Sequence, residues 1–554
     1  MKLTGAQIFV ETLAEQGVEL LFGYPGGTVL NLFDALYESA GRVKWVLTAD
    51  ECGAAHAADG YARATGRTGV VLATSGPGAT NLVTGLATAH MDSVPMVAFT
   101  GNVSTGVLGL DGFQEAYIEG IAMPVTKHSV TVRRVEDLAD TIRAAFRIAR
   151  SGRKGPVLVD IPKDLTAETC EFTPRRPVRE ETPAEPERMA LEQAAAVLNE
   201  AKRPLVYFGG GVISAGAAPL LRRLVDEANL PAVHTLMAAG VLRWDDPMNL
   251  GMLGMHGRYS ANRAVEEADA LLCVGARFSD RVALRPEGFA RRAKVVQIDI
   301  DESEIGKNVA ADVAVPADAA AALKALLPLL RPTDRTAWME DLRSWQAKDY
   351  RPRTDEGYLQ PHRILEDICS MAGEDAVYVT DVGQHQMWSA QYLRHTAPRQ
   401  FLTSGGLGTM GFGYGAAIGA QLALGRQRRV VMLTGDGSFH MNLNEACTAV
   451  SYGLPIITVI FNNQVLGMVR QWQTLFYDHR YAATDPCRAT DFVKVAEGFG
   501  LKGWRCETPE QFRQAFEKAL HEDGPVWIDC AIGKDEVVLP MIPGGGGLED
   551  IIMT

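Results

Sequence analysis

No two of the eight cysteines (Cys52, Cys170, Cys273, Cys369, Cys447, Cys487, Cys506 and Cys530) stand at C-x-x-C spacing, and no Cys/His array has zinc-finger spacing. A structural zinc module or a disulfide-stapled secreted scaffold is therefore excluded, and reduced thiols of a cytoplasmic protein are expected. Long apolar runs are also missing. Ile456 to Phe461 is among the longest, a strand's length against the ~18 residues a membrane span needs, so no membrane partner is expected. The opening Met1-Lys2-Leu3-Thr4 lacks a secretory apolar core; Thr4 and Gln7 instead have the spacing of a capping box that starts a helix. Nor is there a Lys/Arg stripe: 54 basic face 67 acidic side chains, a formal net charge of −13, and the one basic cluster, Arg426 to Arg429, is broken by Gln427 and reads as a solvated turn. Nucleic acid is thereby excluded as a partner.

What remains is a large globular enzyme-sized chain. Its 554 residues, 47% apolar and 22% charged, suffice for three or four domains with cores of their own. Glycine is abundant, 55 residues, and much of it falls at strand-to-loop junctions, as in loops that cradle phosphate.

Thr173 to Arg188 has linker composition, and Arg331 to Pro361 is a looser charged stretch with prolines. Three domains follow, over residues 1–172, 188–335 and 358–554. In each, short β-rich runs such as Val70 to Leu72, Val157 to Ile161, Leu271 to Val274 and Val295 to Ile300 alternate with Ala-rich helical stretches. The expected class is α/β, with three mostly parallel sheets flanked by helices. The first and third domains echo one another about 360 positions apart. Val70 to Gly78 (VVLATSGPG), then Asn81-Leu82, matches Val430 to Gly437 (VVMLTGDG), then Asn442-Leu443.

Asp436 ends one predicted strand and Asn463 the next, a βαβ crossover that makes the strands parallel neighbours. A carboxylate and an amide oxygen brought to one sheet edge suit Mg²⁺ completed by phosphate oxygens, and the turn Gly435 to Ser438 adds helix N-terminal amides. The alternative is an Asp cap and a turn Asn. Gly406 to Gly411 also fits G-x-G-x-x-G, but it follows Thr403-Ser404-Gly405 in place of a strand, against a nicotinamide fingerprint.

The GDG…NN spacing resembles the diphosphate-binding signature of thiamine diphosphate enzymes. Further segments narrow the likeness: GYPGG (23–27), TSGPGATN (74–81), FQE (113–115), MPVTKHS (123–129), GPVLVDIPKD (155–164), GMLGMHG (251–257), TDVGQHQMW (380–388), GGLGTMGFG (405–413), NNQVLGMVRQWQ (462–473) and VLPMIPGGG near the end. Together they resemble the acetohydroxyacid synthase (acetolactate synthase) family, from about Gly5 to Met541.

That resemblance implies the following roles. Asp436, Asn463 and the backbone carbonyl of Val465 hold Mg²⁺. Gly383, Gln384, His385, Gly408, Gly435, Gly437 and Ser438 line the thiamine diphosphate, and Met410 is the wedge that bends it, where sequence alone reads a core methionine. Glu51, by default a helix N-terminal charge, becomes the acid on N1′ of the aminopyrimidine. Its neighbour Cys52 departs from the family's Gln. Because Glu51 and the metal ligands fall in different domains, sites shared between two copies are expected, in a homodimer or homotetramer; a small regulatory subunit is left open.

The same resemblance assigns FAD to Arg153, His256, Gly257, Gly275, Arg277, Asp280, Arg281, Asp299, Ile300 and Asp318, where Asp299-Ile300-Asp301 otherwise reads as a strand end with solvated acids. It implies decarboxylation of pyruvate and transfer of the two-carbon unit to a second 2-keto acid, giving 2-acetolactate or 2-aceto-2-hydroxybutyrate, the first common step of branched-chain amino-acid biosynthesis. Arg277 is the expected partner of the acceptor carboxylate, Trp472 of its alkyl group; Phe113, Gln114, Lys163 and Met468 match other site positions. Pyruvate oxidases and decarboxylases lack RFSDR, QWQ and PMIP together, and glyoxylate carboligase lacks the Glu. A flavin or nicotinamide oxidoreductase is the rival from another class.

Overall fold

The computed structural model describes residues 1–178, 182–354 and 357–554 and contains three six-stranded parallel sheets and one two-stranded antiparallel ribbon. In chain order, the first sheet is built from Leu20–Tyr24, Lys44–Leu47, Gly69–Ala73, Met96–Asn102, His128–Thr131 and Pro156–Pro162. The third is built from Val377–Thr380, Phe401–Leu402, Val430–Gly435, Ile457–Asn462, Lys502–Cys506 and Val526–Ala531. Numbered within each sheet, both run 2-1-3-4-6-5 across the sheet. The echo in sequence is thus a repeat of whole-domain topology, with Gly69–Ala73 and Val430–Gly435 as the corresponding third strands.

The middle sheet consists of Pro204–Phe208, Ala232–His234, Asn249–Met252, Ala270–Val274, Lys294–Asp299 and Val313–Pro316. It runs 3-2-1-4-5-6, the dinucleotide-binding order whose switch point lies between strands 1 and 4. Central strands such as Met96–Asn102 and Pro156–Pro162 are buried at every position, because helices cover both faces of these parallel sheets.

The first and third sheets are joined by one apolar core. At its centre the helix Glu51–Thr65 crosses the helix Gly413–Leu424 so closely that a Cβ on Gly60 would lie 2.1 Å from the Ala416 carbonyl, and one on Gly419 1.8 Å from that of Ala57. Glycine is required at this crossing because backbone meets backbone. At the N-terminus the expected capping box is formed: Gln7 N donates to Thr4 Oγ1 at 3.2 Å and Thr4 N to Gln7 Oε1 at 3.0 Å.

The first linker is irregular on either side of Arg179, Glu180 and Glu181, which lie outside the described residues. The second requires a correction. The middle domain does not end at Arg335: helix Thr336–Gln346 buries Trp338, Met339 and Leu342 in its core, and Trp338 Nε1 donates to the Pro204 carbonyl at 3.0 Å. Charge on the outer face of this helix masked its amphipathic spacing. Asp355 and Glu356 lie outside the described residues. Arg426 to Arg429 likewise is more than a solvated turn, since Arg426, Arg428 and Arg429 donate to backbone carbonyls of Gly453, Asp375 and Leu520.

Candidate active site

Strands Val430–Gly435 and Ile457–Asn462 pair in parallel with Gly435 opposite Phe461, so Asp436 and Asn463 leave the same sheet edge side by side. Asp436 is 5% exposed and starts the short helix Asp436–Phe439. Burial pushes its carboxyl up to about 6, and no cation pairs with it among the described residues. Asn463 Oδ1 accepts from Val465 N at 3.1 Å, curling the chain so that Val465 turns back towards the same edge. Glycine keeps this edge open: a Cβ on Gly435 would lie 2.9 Å from His385 Nδ1, and one on Gly437 2.7 Å from Leu466. Gln384, the first residue of helix Gln384–Tyr392, is fixed by bonds from Nε2 to Gln471 Oε1 (3.0 Å) and the Glu536 carbonyl (2.7 Å). His385 is fully buried beside it, and desolvation holds its imidazole neutral.

The turn carrying Met410 is pinned on both sides. Thr409 N donates to Ser404 Oγ, and its hydroxyl shares a 2.7 Å hydrogen bond with Thr88 of the first domain. Gly411 N donates to Asp381 Oδ1 at 3.0 Å and to Ser438 Oγ at 3.2 Å. Met410 itself stays partly exposed, and Gly408 adopts φ +72°, so a fixed apolar side chain projects next to an open glycine turn. Further back, Asp92 of the first domain accepts from Gly405 N (3.0 Å) and Gly406 N (2.7 Å), and buried Arg63 holds it at 2.9 Å.

Glu51 occupies the first turn of helix Glu51–Thr65, is buried, and accepts a hydrogen bond on Oε2 from Asn81 Nδ2 at 3.0 Å. Its partner therefore comes from the first domain. Among the described residues no hydrogen bond or ion pair joins Glu51 to Asp436 or Asn463. Phe113, 88% exposed, and Gln114 at φ +58° also belong to the first domain, in a loop, and exposed Lys163 starts the short helix Lys163–Ala167 directly after strand Pro156–Pro162.

In the middle domain, all the sequence-predicted FAD residues except Arg153 lie beyond the carboxyl ends of strands. Gly275, Arg277, Asp280 and Arg281 follow strand 4, His256 and Gly257 follow strand 3, and Asp299 and Ile300 end strand 5. Asp318 follows strand 6 and caps helix Ala319–Leu326 through Ala320 N and Ala321 N. Arg153 reaches across from the first domain to Asp301 (3.4 Å) and Glu304 (3.1 Å). Asp299 is mostly buried, which pushes its carboxyl up to about 6. At the switch point a Cβ on Gly211 would lie 2.7 Å from Gly275 Cα, and one on Gly209 2.4 Å from the Gly275 carbonyl. Two bare backbones meet there, packing the turn after strand 1 directly on the turn after strand 4 at the switch point.

Arg277 Nη2 donates to the Met91 carbonyl at 2.8 Å, whereas Arg281 pairs with Asp280 at the surface. Trp472 and Met468 share helix Gly467–Phe476. Trp472 packs on Met255, Leu539 and Met541 and edge-on against Phe476, while Met468 packs on the third-domain core.

Comparison with known proteins agrees with this arrangement. Residues 3–123 match the thiamine pyrophosphate enzyme N-terminal TPP binding domain, 191–326 the central domain, and 381–530 the C-terminal TPP binding domain. Acetolactate synthase of Mycobacterium bovis is 45% identical over 569 residues, covering 99% of this chain and 91% of that protein. The acetolactate synthase large subunit of Parasynechococcus marenigrum is 47% identical, covering 98% and 90%, and the isozyme 2 large subunit of Escherichia coli 44% identical, covering 99% of both. The chain belongs to the acetolactate synthase family of thiamine pyrophosphate enzymes.

For an acetolactate synthase, the described residues fit the expected groups. The Mg²⁺ set has one carboxylate, one amide and one carbonyl, and no cluster of three or more His, Cys, Asp or Glu side chains poised for a metal exists among the described residues. Such a set leaves the remaining positions to phosphate and water oxygens. The FAD set fits on its glycine cradle. Sequence reading missed three contributors: the segment Gly209 to Gly211, whose triple glycine after a β-rich run was the available signal; Asp381, in TDVG; and Asp92, whose amide donors Gly405 and Gly406 lie more than 300 residues away.

Proposed function

We propose that this acetolactate synthase family member decarboxylates one 2-keto acid, pyruvate, and joins the retained two-carbon unit to a second, pyruvate or 2-ketobutyrate, in branched-chain amino-acid biosynthesis. The observation that carries this reading is that one chain, matched over nearly its whole length by acetolactate synthases, has buried Glu51 beyond a strand end of one sheet and Asp436 with Asn463 beyond strand ends of its repeat, which supports a thiamine site built from both. Thiamine diphosphate, when bound, supplies an acidic C–H and an electron sink for the carboxylate's departing electrons.

The residues do the rest. Asp436, Asn463 and the Val465 carbonyl would hold Mg²⁺ beside the Gly435 to Ser438 turn. Glu51, anchored through Oε2 by Asn81, would offer Oε1 to the pyrimidine ring and hold a proton there. Met410, braced by Thr409 and Gly411, would pack against the cofactor. The RFSDR turn offers a guanidinium to the acceptor carboxylate, with Arg277 as the first choice, and Trp472 lines the alkyl side. FAD belongs on the carboxyl edge of the middle sheet, where it shapes the site and carries no electrons, because carboligation is redox-neutral.

Among the described residues no hydrogen bond or ion pair links Glu51 to Asp436, and Glu51 is anchored within the first domain by Asn81, which supports a dimer in which each copy completes the other's site. The relatives' name "large subunit" supports a smaller partner subunit. No helix among the described residues is long and apolar enough to cross a membrane, and free cysteines support a cytoplasmic setting. Product analysis after incubation with pyruvate, 2-ketobutyrate, thiamine diphosphate, Mg²⁺ and FAD tests the reading: both acetohydroxy acids are expected, and hydride transfer without CO₂ release would refute it.

A further inference from the structure

Between the end of strand Lys44–Leu47 and the start of helix Glu51–Thr65, the chain turns in three residues, and this turn is gripped from the third domain. The Tyr452 hydroxyl accepts from Leu47 N at 2.9 Å. The Glu445 carboxylate accepts from Ala49 N with both oxygens, at 3.1 and 3.2 Å, and from Asp50 N at 3.4 Å. Asn444 Nδ2 donates to Asp50 Oδ2 at 3.2 Å, while Asp50 Oδ1 caps the helix by accepting from Gly53 N at 2.7 Å.

Glu445 is 1% exposed, and Thr448 Oγ1 donates to its Oε2 at 2.6 Å. Burial and the neighbouring Asp50 carboxylate penalise its charge, so these donors are what hold it there. Room for it exists only because residue 53 is glycine: a Cβ on Gly53 would lie 1.9 Å from Glu445 Oε1. Glu445 and Asn444 converge on Ala49 and Asp50, the two residues immediately before Glu51, while Tyr452 holds the strand end at Leu47.

We propose that Glu445 is a positioning residue for Glu51: its carboxylate fixes the Ala49 and Asp50 amides and thereby the place and direction of the Glu51 side chain. The inference rests on reading Glu51 as the acid that faces the cofactor's pyrimidine ring. A carboxylate in that role must be placed to within a fraction of an ångström, and a turn of three residues has too little of its own hydrogen bonding to hold it.

The test compares Glu445→Gln, Gly53→Ala and Glu51→Gln in the holoenzyme, reading deuterium exchange at C2 of bound thiamine diphosphate, cofactor affinity and acetolactate turnover. Glu445→Gln turns an amide NH₂ or a single oxygen towards donors that need two acceptor oxygens, and Gly53→Ala displaces the carboxylate from the opposite side. Both variants are expected to slow C2 exchange and kcat together by about tenfold or more, with cofactor affinity changed by no more than about twofold. The double variant Glu51→Gln with Glu445→Gln should be no slower than Glu51→Gln alone. Wild-type exchange in both Glu445→Gln and Gly53→Ala, with exchange slow in Glu51→Gln, would reduce Glu445 to a packing contact between domains. Wild-type exchange in Glu51→Gln would overturn the underlying reading of Glu51 and this inference with it. Should Glu445→Gln fail to fold, Glu445→Asp takes its place: it keeps the charge but withdraws the carboxylate from the Ala49 and Asp50 amides, and should slow C2 exchange likewise.

Discussion

Glu51 accepts its hydrogen bond from Asn81 on Oε2 alone, and its Oε1 faces Gly78, where a Cβ would come within 3.0 Å of it. One oxygen is thus anchored and the other kept clear of side chains. Glu51→Gln keeps the size and the Asn81 contact but loses the charge. It should lower kcat by about 10²- to 10⁴-fold while thiamine diphosphate binds normally through the metal edge. Steady-state kinetics with a cofactor titration check both halves, and near wild-type turnover would remove Glu51 from the chemistry.

Asp436→Ala should act on binding instead. It removes the one carboxylate of the metal set, so the apparent affinity for thiamine diphosphate falls sharply and added Mg²⁺ recovers part of the activity. Stripping wild-type protein with a chelator should produce the same loss reversibly. A cofactor titration unchanged in Asp436→Ala would place the metal elsewhere.

Flavin binding is separable from both. Gly275 adopts φ +57° and meets Gly211 backbone to backbone, so Gly275→Val should abolish flavin retention without loosening thiamine diphosphate. In the wild type, a redox-inactive 5-deaza analogue of FAD should support acetolactate formation. Normal binding of the analogue with no product would mean that the flavin carries electrons.

Arg63 and Asp92 form a buried ion pair that also carries Gly405 and Gly406. Asp92→Ala leaves the guanidinium with Asp59 and the Thr403 carbonyl and frees two amides, and breaking such a buried pair costs about 3–5 kcal/mol. The apparent melting temperature should drop by several degrees, and the turn before Met410 should gain hydrogen exchange. A local loss of protection without any change at residues 404–411 would contradict this tie.

Acceptor choice tests the outer site. Trp472→Leu should lower the ratio of acetohydroxybutyrate to acetolactate in competition, since one methylene in an apolar pocket is worth about 1–3 kcal/mol. Arg277→Lys should weaken both acceptors alike, because a point charge replaces a two-pronged contact. Arg281→Lys serves as the comparison, as Arg281 is exposed where Arg277 is half-buried. If Arg281→Lys weakens the acceptors and Arg277→Lys does not, the carboxylate contact moves to the next arginine along the turn.

The repeat of the first and third domains could be read from VVLATSGPG and VVMLTGDG because local strand-turn-helix units carry their own glycines. The strand order 3-2-1-4-5-6 could not, since it is set by pairing between strands distant in the chain, although Gly209 to Gly211 hinted at its switch point. Helix Thr336–Gln346 was hidden for another reason: three buried residues, Trp338, Met339 and Leu342, with Trp345 packed edge-on against Trp338, suffice to anchor it among its charges. Asp436 and Asn463 could be placed at one sheet edge because each follows a predicted strand, whereas Glu51 read as a helix N-terminal charge until the family resemblance gave it another role. Asp92, Asp381 and Glu445 were not legible, because what they hold are backbone amides, and an amide leaves no mark on a sequence.

The central claim is that one site, built from Glu51 on one sheet and Asp436 on its repeat, joins two keto acids. The most direct measurement is the stoichiometry of pyruvate consumed, CO₂ released and acetolactate formed by the purified protein with thiamine diphosphate, Mg²⁺ and FAD, and by its Glu51→Gln variant. The account predicts one CO₂ and one acetolactate for every two pyruvates, with the variant forming almost none. Release of CO₂ with acetaldehyde or acetate as the product, or undiminished acetolactate from Glu51→Gln, would contradict it.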